Sequence, residues 1–225
     1  MDALELNHWS KELQISPVEI MREEAEVIIL DTLAQSPSAE NLIFKDGTAL
    51  RLVYGSPRFS VDLDFNQKGK IKIKELKNSL KKAAKRISGE LKDFHNKRWT
   101  LFALLAINRP ELKQAFSIKI EISKKKYFLK SGDYSLKAGR SPLTAFTPLL
   151  LTYSLERIYQ EKQLAIKTRD EPRDYFDLWY VGQKLNRKPA FPHMKMHPGK
   201  FKGALSQLLP DYLKKWPQNY LAGKL

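Results

Sequence analysis

The sequence predicts an α+β fold, in which a small β-sheet with flanking helices is followed by a helical C-terminal part. Two patterns lead there. Apolar and polar residues alternate over 60–65 and 117–123, so each stretch reads as a strand with one buried face. Ile73, Leu76, Leu80, Ala83, Ile87, Leu91 and Phe94 recur at helical spacing, and from Leu150 the chain reads as helix.

Taken in order, Ser16-Pro17-Val18-Glu19 starts a helix, with a capping serine, proline at the first helical position and a glutamate closing a capping box. It should run to about Gln35, where Ser36-Pro37-Ser38 ends it. Asn41-Leu42-Ile43-Phe44 reads as the first strand, leading through Lys45-Asp46-Gly47-Thr48 into a short helix that stops near Gly55-Ser56-Pro57. The strand carrying Asp62 and Asp64 comes next, then a helical stretch within 67–98. Strands over 99–107 and 117–122 are joined by a turn at Asn108-Arg109-Pro110. Residues 130–148, rich in Gly, Ser and Pro, read as a connection, and helices are expected over about 153–168, over 172–185 and from Phe201.

Alternate residues of a strand point the same way, so Asp62 and Asp64 face one site. Crowded carboxylates raise the pKa of one of them unless a cation lies between. Magnesium, with manganese as the alternative, takes hard oxygen ligands and completes its shell with water and a substrate's phosphates. Gly47-Thr48, at a strand-to-helix junction, offers backbone N–H groups at the positive end of a helix as a phosphate cradle. Either motif alone is common, but the two together point to a bound nucleoside triphosphate. On the strand at 117–123, Ser117, Lys119, Glu121 and Ser123 share the polar face. Turned toward the aspartates, Glu121 would be a third carboxylate, able to bind the metal or to take a proton from an attacking hydroxyl.

At 225 residues, 42% hydrophobic and 11% aromatic, the chain can build a substantial core. Forty basic residues against 25 acidic ones give a net charge of +15 and a pI near 9.8, the footprint of a protein that meets a polyanion. Residues 67–98 hold twelve lysines and arginines against three acids, a density suited to phosphate-backbone contact. Met1-Asp2-Ala3-Leu4-Glu5 lacks a signal-peptide pattern and no apolar run approaches a spanning helix, so a soluble, cytoplasmic protein without membrane partners is expected. Without cysteine there is neither a disulfide nor a thiolate nucleophile. His8, His95, His193 and His197 are scattered and read as surface or packing residues.

Gly-Thr-Ala-Leu at 47–50, Arg-Phe-Ser-x-Asp-x-Asp-Phe at 58–65, Lys119-x-Glu121, Glu161-Lys162 and Pro-Arg-Asp-x-x-Asp at 172–177 occur in that order. Together they resemble the AbiEii/AbiGii toxin family, nucleotidyltransferase-like toxins of bacterial toxin–antitoxin systems related by fold to the DNA polymerase beta superfamily. The resemblance implies a small mixed sheet forming a nucleotidyltransferase core, here residues 1–145, and a helical C-terminal subdomain, 146–225. It implies that Gly47 and Thr48 form the phosphate-binding turn, with Arg58 and Ser60 beside it. It makes Asp62, Asp64 and Glu121 the metal ligands, and Lys119 and Lys162 nucleotide contacts, with Lys162 part of the catalytic set. Arg173, Asp174 and Asp177 form the last motif, the two acids holding the shape of the site or its basic residues. Three departures stand out: Asp46 where the family commonly has a second glycine, Glu121 in place of aspartate, and Arg157 and Gln160 ahead of the helix lysine.

The expected function is a magnesium-dependent transfer of a nucleotide from a nucleoside triphosphate to an acceptor, RNA and specifically a transfer RNA 3′ end, by a toxin with a cognate antitoxin encoded nearby. The rivals are a fold retained for binding RNA or a partner without chemistry, and nucleotidyl transfer to a small molecule or a protein side chain.

Overall fold

The computed structural model describes residues 1–125, 128–187, 194 and 196–225; His193 lies outside them. Helices α1 (Ala3–Glu12) and α2 (Pro17–Ala34) precede β1 (Leu42–Lys45), α3 (Asp46–Tyr54), β2 (Asp62–Gln67) and α4 (Ile73–Arg86). Strands β3 (Gly89–Asn96), β4 (Thr100–Ile107), β5 (Phe116–Ser123), β6 (Tyr134–Ala138) and β7 (Leu149–Tyr153) follow. Helices α5 (Leu155–Thr168), α6 (Pro172–Lys184), α7 (Pro198–Ser206) and α8 (Trp216–Leu221) end the chain. The strands form one mixed sheet in the order β3-β4-β5-β2-β1-β7-β6, with β2 parallel to β5, β1 parallel to β7 and the other pairs antiparallel.

The alternation of each strand divides its residues between two layers. Leu63 and Phe65 of β2, Ile118, Ile120 and Ile122 of β5 and Leu101, Ala103 and Leu105 of β4 enter one core with α2 and α4. The intervening residues Asp62, Asp64, Lys119 and Glu121 therefore lie on the opposite face. On that face a second core joins Ile43 of β1 and Tyr153 of β7 to α5 through α8. The C-terminal helices thus cover the β1 and β7 side and leave Asp62, Asp64 and Glu121 at their border.

Several elements depart from the sequence reading. Helix α1 was not anticipated; Asp2 and Glu5 close a capping box there. At α2 proline does sit at the first helical position, but Ser16 makes no side-chain cap and Glu19 pairs with Arg22 instead. Leu91 and Phe94 belong to strand β3, because Ser88 takes φ +54° and stops α4. Gly89 then enters the sheet so close that a Cβ there would lie 2.6 Å from the Ala106 carbonyl oxygen. The stretch 130–148 holds β6, and 149–153 is strand rather than helix, Thr152 pairing with Phe44. Helix begins only at Leu155, where the Ser154 side chain caps Arg157 N–H.

Candidate active site

Register brings the acids together. Across the parallel pair β2–β5, Asp62 lies opposite Lys119 and Asp64 opposite Glu121; across β1–β2, Lys45 lies opposite Asp64. The Lys119 ammonium bridges Asp62 at 3.3 Å and Glu121 at 2.9 Å, and Arg173 approaches Asp62 at 3.4 Å from α6. Burial works against the charge of Lys119, but the hydrogen bond to Glu121 and the nearby Asp62 raise its pKa overall. Among the described residues no donor is hydrogen-bonded or ion-paired to the Asp64 carboxylate. Burial, and then the charges of Asp46 and Asp62, push Asp64 up to about 7, with Lys45 and Lys119 opposing.

A second cluster lies one strand away and is closed. Lys162, 2% exposed, sends its ammonium into three carboxylates: Asp174 and Asp177, each at 2.8 Å, and Asp46. Its burial is more than offset by these charges, which hold its pKa above the usual lysine value. Asp177 is clasped by Arg58 through Nε and Nη2, both at 2.9 Å, while Arg58 Nη1 donates to the Phe59 carbonyl. Asp174 accepts from Arg169 at 2.6 and 2.7 Å. The oxygens of Asp46, Asp174 and Asp177 lie within 4.8 Å of one another, a set that could hold a cation; here the lysine supplies it. Asp62, Asp64 and Glu121 do not converge that tightly.

The turn between β1 and α3 links the clusters. Asp46 opens α3 with φ +65°. Thr48, 1% exposed, donates its hydroxyl to the Asp62 carbonyl at 2.5 Å, pinning α3 to β2. Gly47 is required by close approach: a Cβ there would fall against Arg58 Nη2, inside van der Waals contact, and 2.8 Å from Ser60 Oγ. Arg58 and Ser60 are themselves buried. Of the residues singled out from the sequence, Asp62, Asp64, Lys119, Glu121 and Arg173 thus border the open face, while Thr48, Arg58, Ser60, Lys162, Asp174 and Asp177 lie packed behind it.

Beside the closed cluster is a cleft of about 520 Å³ bordered by Lys45, Asp46, Lys125, Glu161, Lys162 and Arg169. Lys45 pairs with Glu161 at 3.1 Å. Neither Lys45 nor Arg169 was anticipated as a site residue. The position of Lys45 directly before the glycine turn is a signal that could have found it; nothing local marks Arg169, five residues ahead of its partner Asp174.

The mixed sheet, with its acids on adjacent parallel strands beside a helix N-terminus, places the protein among the nucleotidyltransferase folds. The crystal structure of JHP933 from Helicobacter pylori is 24% identical with a TM-score of 0.57, over 92% of this chain and 79% of that one. A second H. pylori protein, provisionally named a nucleotidyltransferase, is 22% identical with a TM-score of 0.57, over 93% of this chain and 84% of that one. At these identities the likenesses establish the fold. The chain belongs to the family described as nucleotidyl transferase AbiEii toxin, type IV toxin–antitoxin system, which it matches over residues 28–194. No curated protein sequence matches it significantly. Family membership makes the protein a toxin of the nucleotidyltransferase class and implies a nucleoside triphosphate and an antitoxin as partners. Among the described residues no helix is long and apolar enough to cross a membrane.

Proposed function

We propose that this toxin acts in the cytoplasm as a magnesium-dependent nucleotidyltransferase that modifies RNA, with a transfer RNA 3′ end as the acceptor. The observation that carries the metal requirement is Asp64, a carboxylate without a hydrogen-bonding partner among the described residues, raised to about 7 and flanked by Asp62 and Glu121. Asp62 and Asp64 would hold the ion, with Glu121 completing the set once Lys119 swings aside; their hard oxygens suit magnesium or manganese. When bound, the ion supplies positive charge to the α-phosphate and the leaving oxygen.

The remaining roles belong to the chain. An acceptor hydroxyl attacks the α-phosphorus, the new O–P bond forms as the α–β P–O bond breaks, and pyrophosphate leaves with the bonding electrons. Glu121, half-exposed at the open side, accepts the hydroxyl proton. Lys119 and Arg173, each about one-third exposed at the side chain, contact phosphate oxygens. Gly47, Thr48, Arg58, Ser60, Asp174 and Asp177 act by fixing α3 and α6 against β2. The units 1–145 and 146–225 share the site, the first giving the metal ligands and the second Lys162 and Arg173.

The acceptor approaches from the β3–β4 side, which the C-terminal helices leave uncovered. The exposed lysines of α4 lie on the far layer of the sheet, with Lys97 and Arg98 exposed at the β3–β4 turn between that layer and the site. An RNA gripped by α4 would pass around the β3 edge to reach Glu121.

Incubation with each labelled nucleoside triphosphate, magnesium and total RNA tests the reading; label entering transfer RNA from the wild type but not from Asp62→Asn is the expected result. One observation favours binding without chemistry: the Lys119 ammonium bridges Asp62 and Glu121 where a metal would sit. Unchanged toxicity of Asp62→Asn would select that reading.

A further inference from the structure

We propose that the Asp46 carboxylate occupies the seat of an incoming phosphate, so that a triphosphate binds only by displacing it, and that Asp46 thereby sets the affinity of the site. This rests on the nucleotide-binding reading above, which gives Lys162 to the site, and concerns the carboxylates that now enclose that lysine.

Lysine carries three N–H donors, and three carboxylates face Lys162: Asp46, Asp174 and Asp177. The ammonium donates hydrogen bonds to Asp46 and Asp174 and ion-pairs with Asp177 at 2.8 Å, so carboxylates already enclose it. A phosphate oxygen that is to reach this ammonium must replace one of the three. Two of them are anchored: Asp174 and Asp177 are fully buried and each is clasped by an arginine, Arg169 and Arg58 respectively.

Asp46 shares the lysine but is not clasped by an arginine. Its side chain is 23% exposed and borders the cleft of about 520 Å³. Its second oxygen lies 3.7 Å from Arg169, whose side chain is 43% exposed. It stands at the first position of α3 with φ +65°, in the left-handed region that costs most side chains energy and that Asp tolerates better than most. An anion at a helix N-terminus, bonded to a lysine and near an arginine, has the surroundings of a bound phosphate. Rotation of the side chain out of this position would uncover Lys162 and Arg169, which already border the cleft, and leave the Arg169–Asp174 and Arg58–Asp177 pairs in place.

The test is calorimetric titration of the full chain with the magnesium complexes of ATP, GTP, CTP and UTP, and with inorganic tripolyphosphate. Wild type is compared with Asp46→Asn, which keeps the shape and removes the charge, and with Asp46→Gly, which also removes the left-handed strain. The expected result is binding about tenfold tighter in both variants for every triphosphate and for tripolyphosphate, as removal of an occupied, non-binding state requires. Adenosine should gain nothing. In an Arg169→Gln background the gain should shrink, because the seat has lost one of its cations.

Equal or weaker polyphosphate binding by folded Asp46→Asn would overturn the proposal, as would loss of folding in both variants, which would make Asp46 a structural clamp. Failure of the transferase reading looks different. Triphosphates bound more tightly by Asp46→Asn but never transferred to RNA by any form remove that reading and leave the seat standing. Transfer by wild type with no gain in Asp46→Asn removes the seat alone, and no triphosphate binding by any form removes both.

Discussion

Two groups of three carboxylates lie on neighbouring parts of one sheet face, and the protein treats them in opposite ways. Asp46, Asp174 and Asp177 meet three cations, Lys162, Arg58 and Arg169, at hydrogen-bonding distances with most of the atoms buried. Asp62, Asp64 and Glu121 meet two, Lys119 and Arg173, while the nearby Lys45 ammonium is paired with Glu161. The balanced group holds α5 and α6 to the start of α3. The unbalanced one keeps a carboxylate at a raised pKa, a cost in stability that a cation would remove. Uncompensated charge at Asp64 leaves room for a cation, whereas the buried Arg58–Asp177 and Arg169–Asp174 pairs lock the frame.

The largest expected effect comes from breaking the locked group. Asp177→Asn leaves Arg58 and Lys162 short of a buried counter-charge and should cost about 3–5 kcal/mol of stability, read by urea denaturation. In the open group the balance reverses. Asp64→Asn should lower nucleotidyl transfer by about 10²–10³-fold, as loss of electrostatic stabilisation at a reacting phosphate does. Its melting temperature at pH 8 should match or exceed that of wild type, and a marked loss would show that the open acids are structural too.

Gly47→Ala probes the seam between the groups. The methyl would press on Arg58 and Ser60, and overpacking of this kind costs about 1–3 kcal/mol. Transfer activity should fall with it as α3 shifts from β2.

The pH response separates the groups more gently. In the folded protein Asp64 holds its proton up to about pH 7, whereas in the unfolded chain it releases it near 3.8. The folded state therefore binds the extra proton between these values, and stability falls as the pH rises from 3.8 through 7. A divalent cation binds the ionised form, so the magnesium-induced rise in melting temperature should be small near pH 5.5 and grow toward pH 8. Calorimetry at about pH 6 in buffers of different ionisation enthalpy should show proton release of up to about one per ion. An increment independent of pH would place the ion away from Asp64. Smallest of all, replacing Lys74, Lys81, Lys82 and Lys85 by Gln should weaken RNA binding by about tenfold and flatten its salt dependence, leaving the rate at saturating RNA unchanged.

The site was legible wherever a local period carried it. The alternation through Ser60, Asp62 and Asp64, and that through Lys119 and Glu121, placed the open acids on one face before any pairing was known. Asp174 and Asp177, three apart on α6, likewise share a helical face. Strand β7 escaped because Leu149-Leu150-Leu151 has no apolar–polar alternation to show its period, although Leu150 is buried and Leu149 exposed. Strand β3 escaped because Leu91 and Phe94 continue the spacing of α4 by coincidence, and the break lies in one backbone angle at Ser88.

From the sequence alone came the acids, their shared faces, the excess of positive charge and the order of the motifs, because each depends on residue type and on periods of two or three to four residues. Only the tertiary structure decided which charges are already satisfied. Lys162 finds Asp46 across 116 residues and Arg58 finds Asp177 across 119, contacts that follow from how α5 and α6 dock on the sheet. Burial is a property of that docking, so whether a charge is locked into the frame or left open to a ligand was settled by packing.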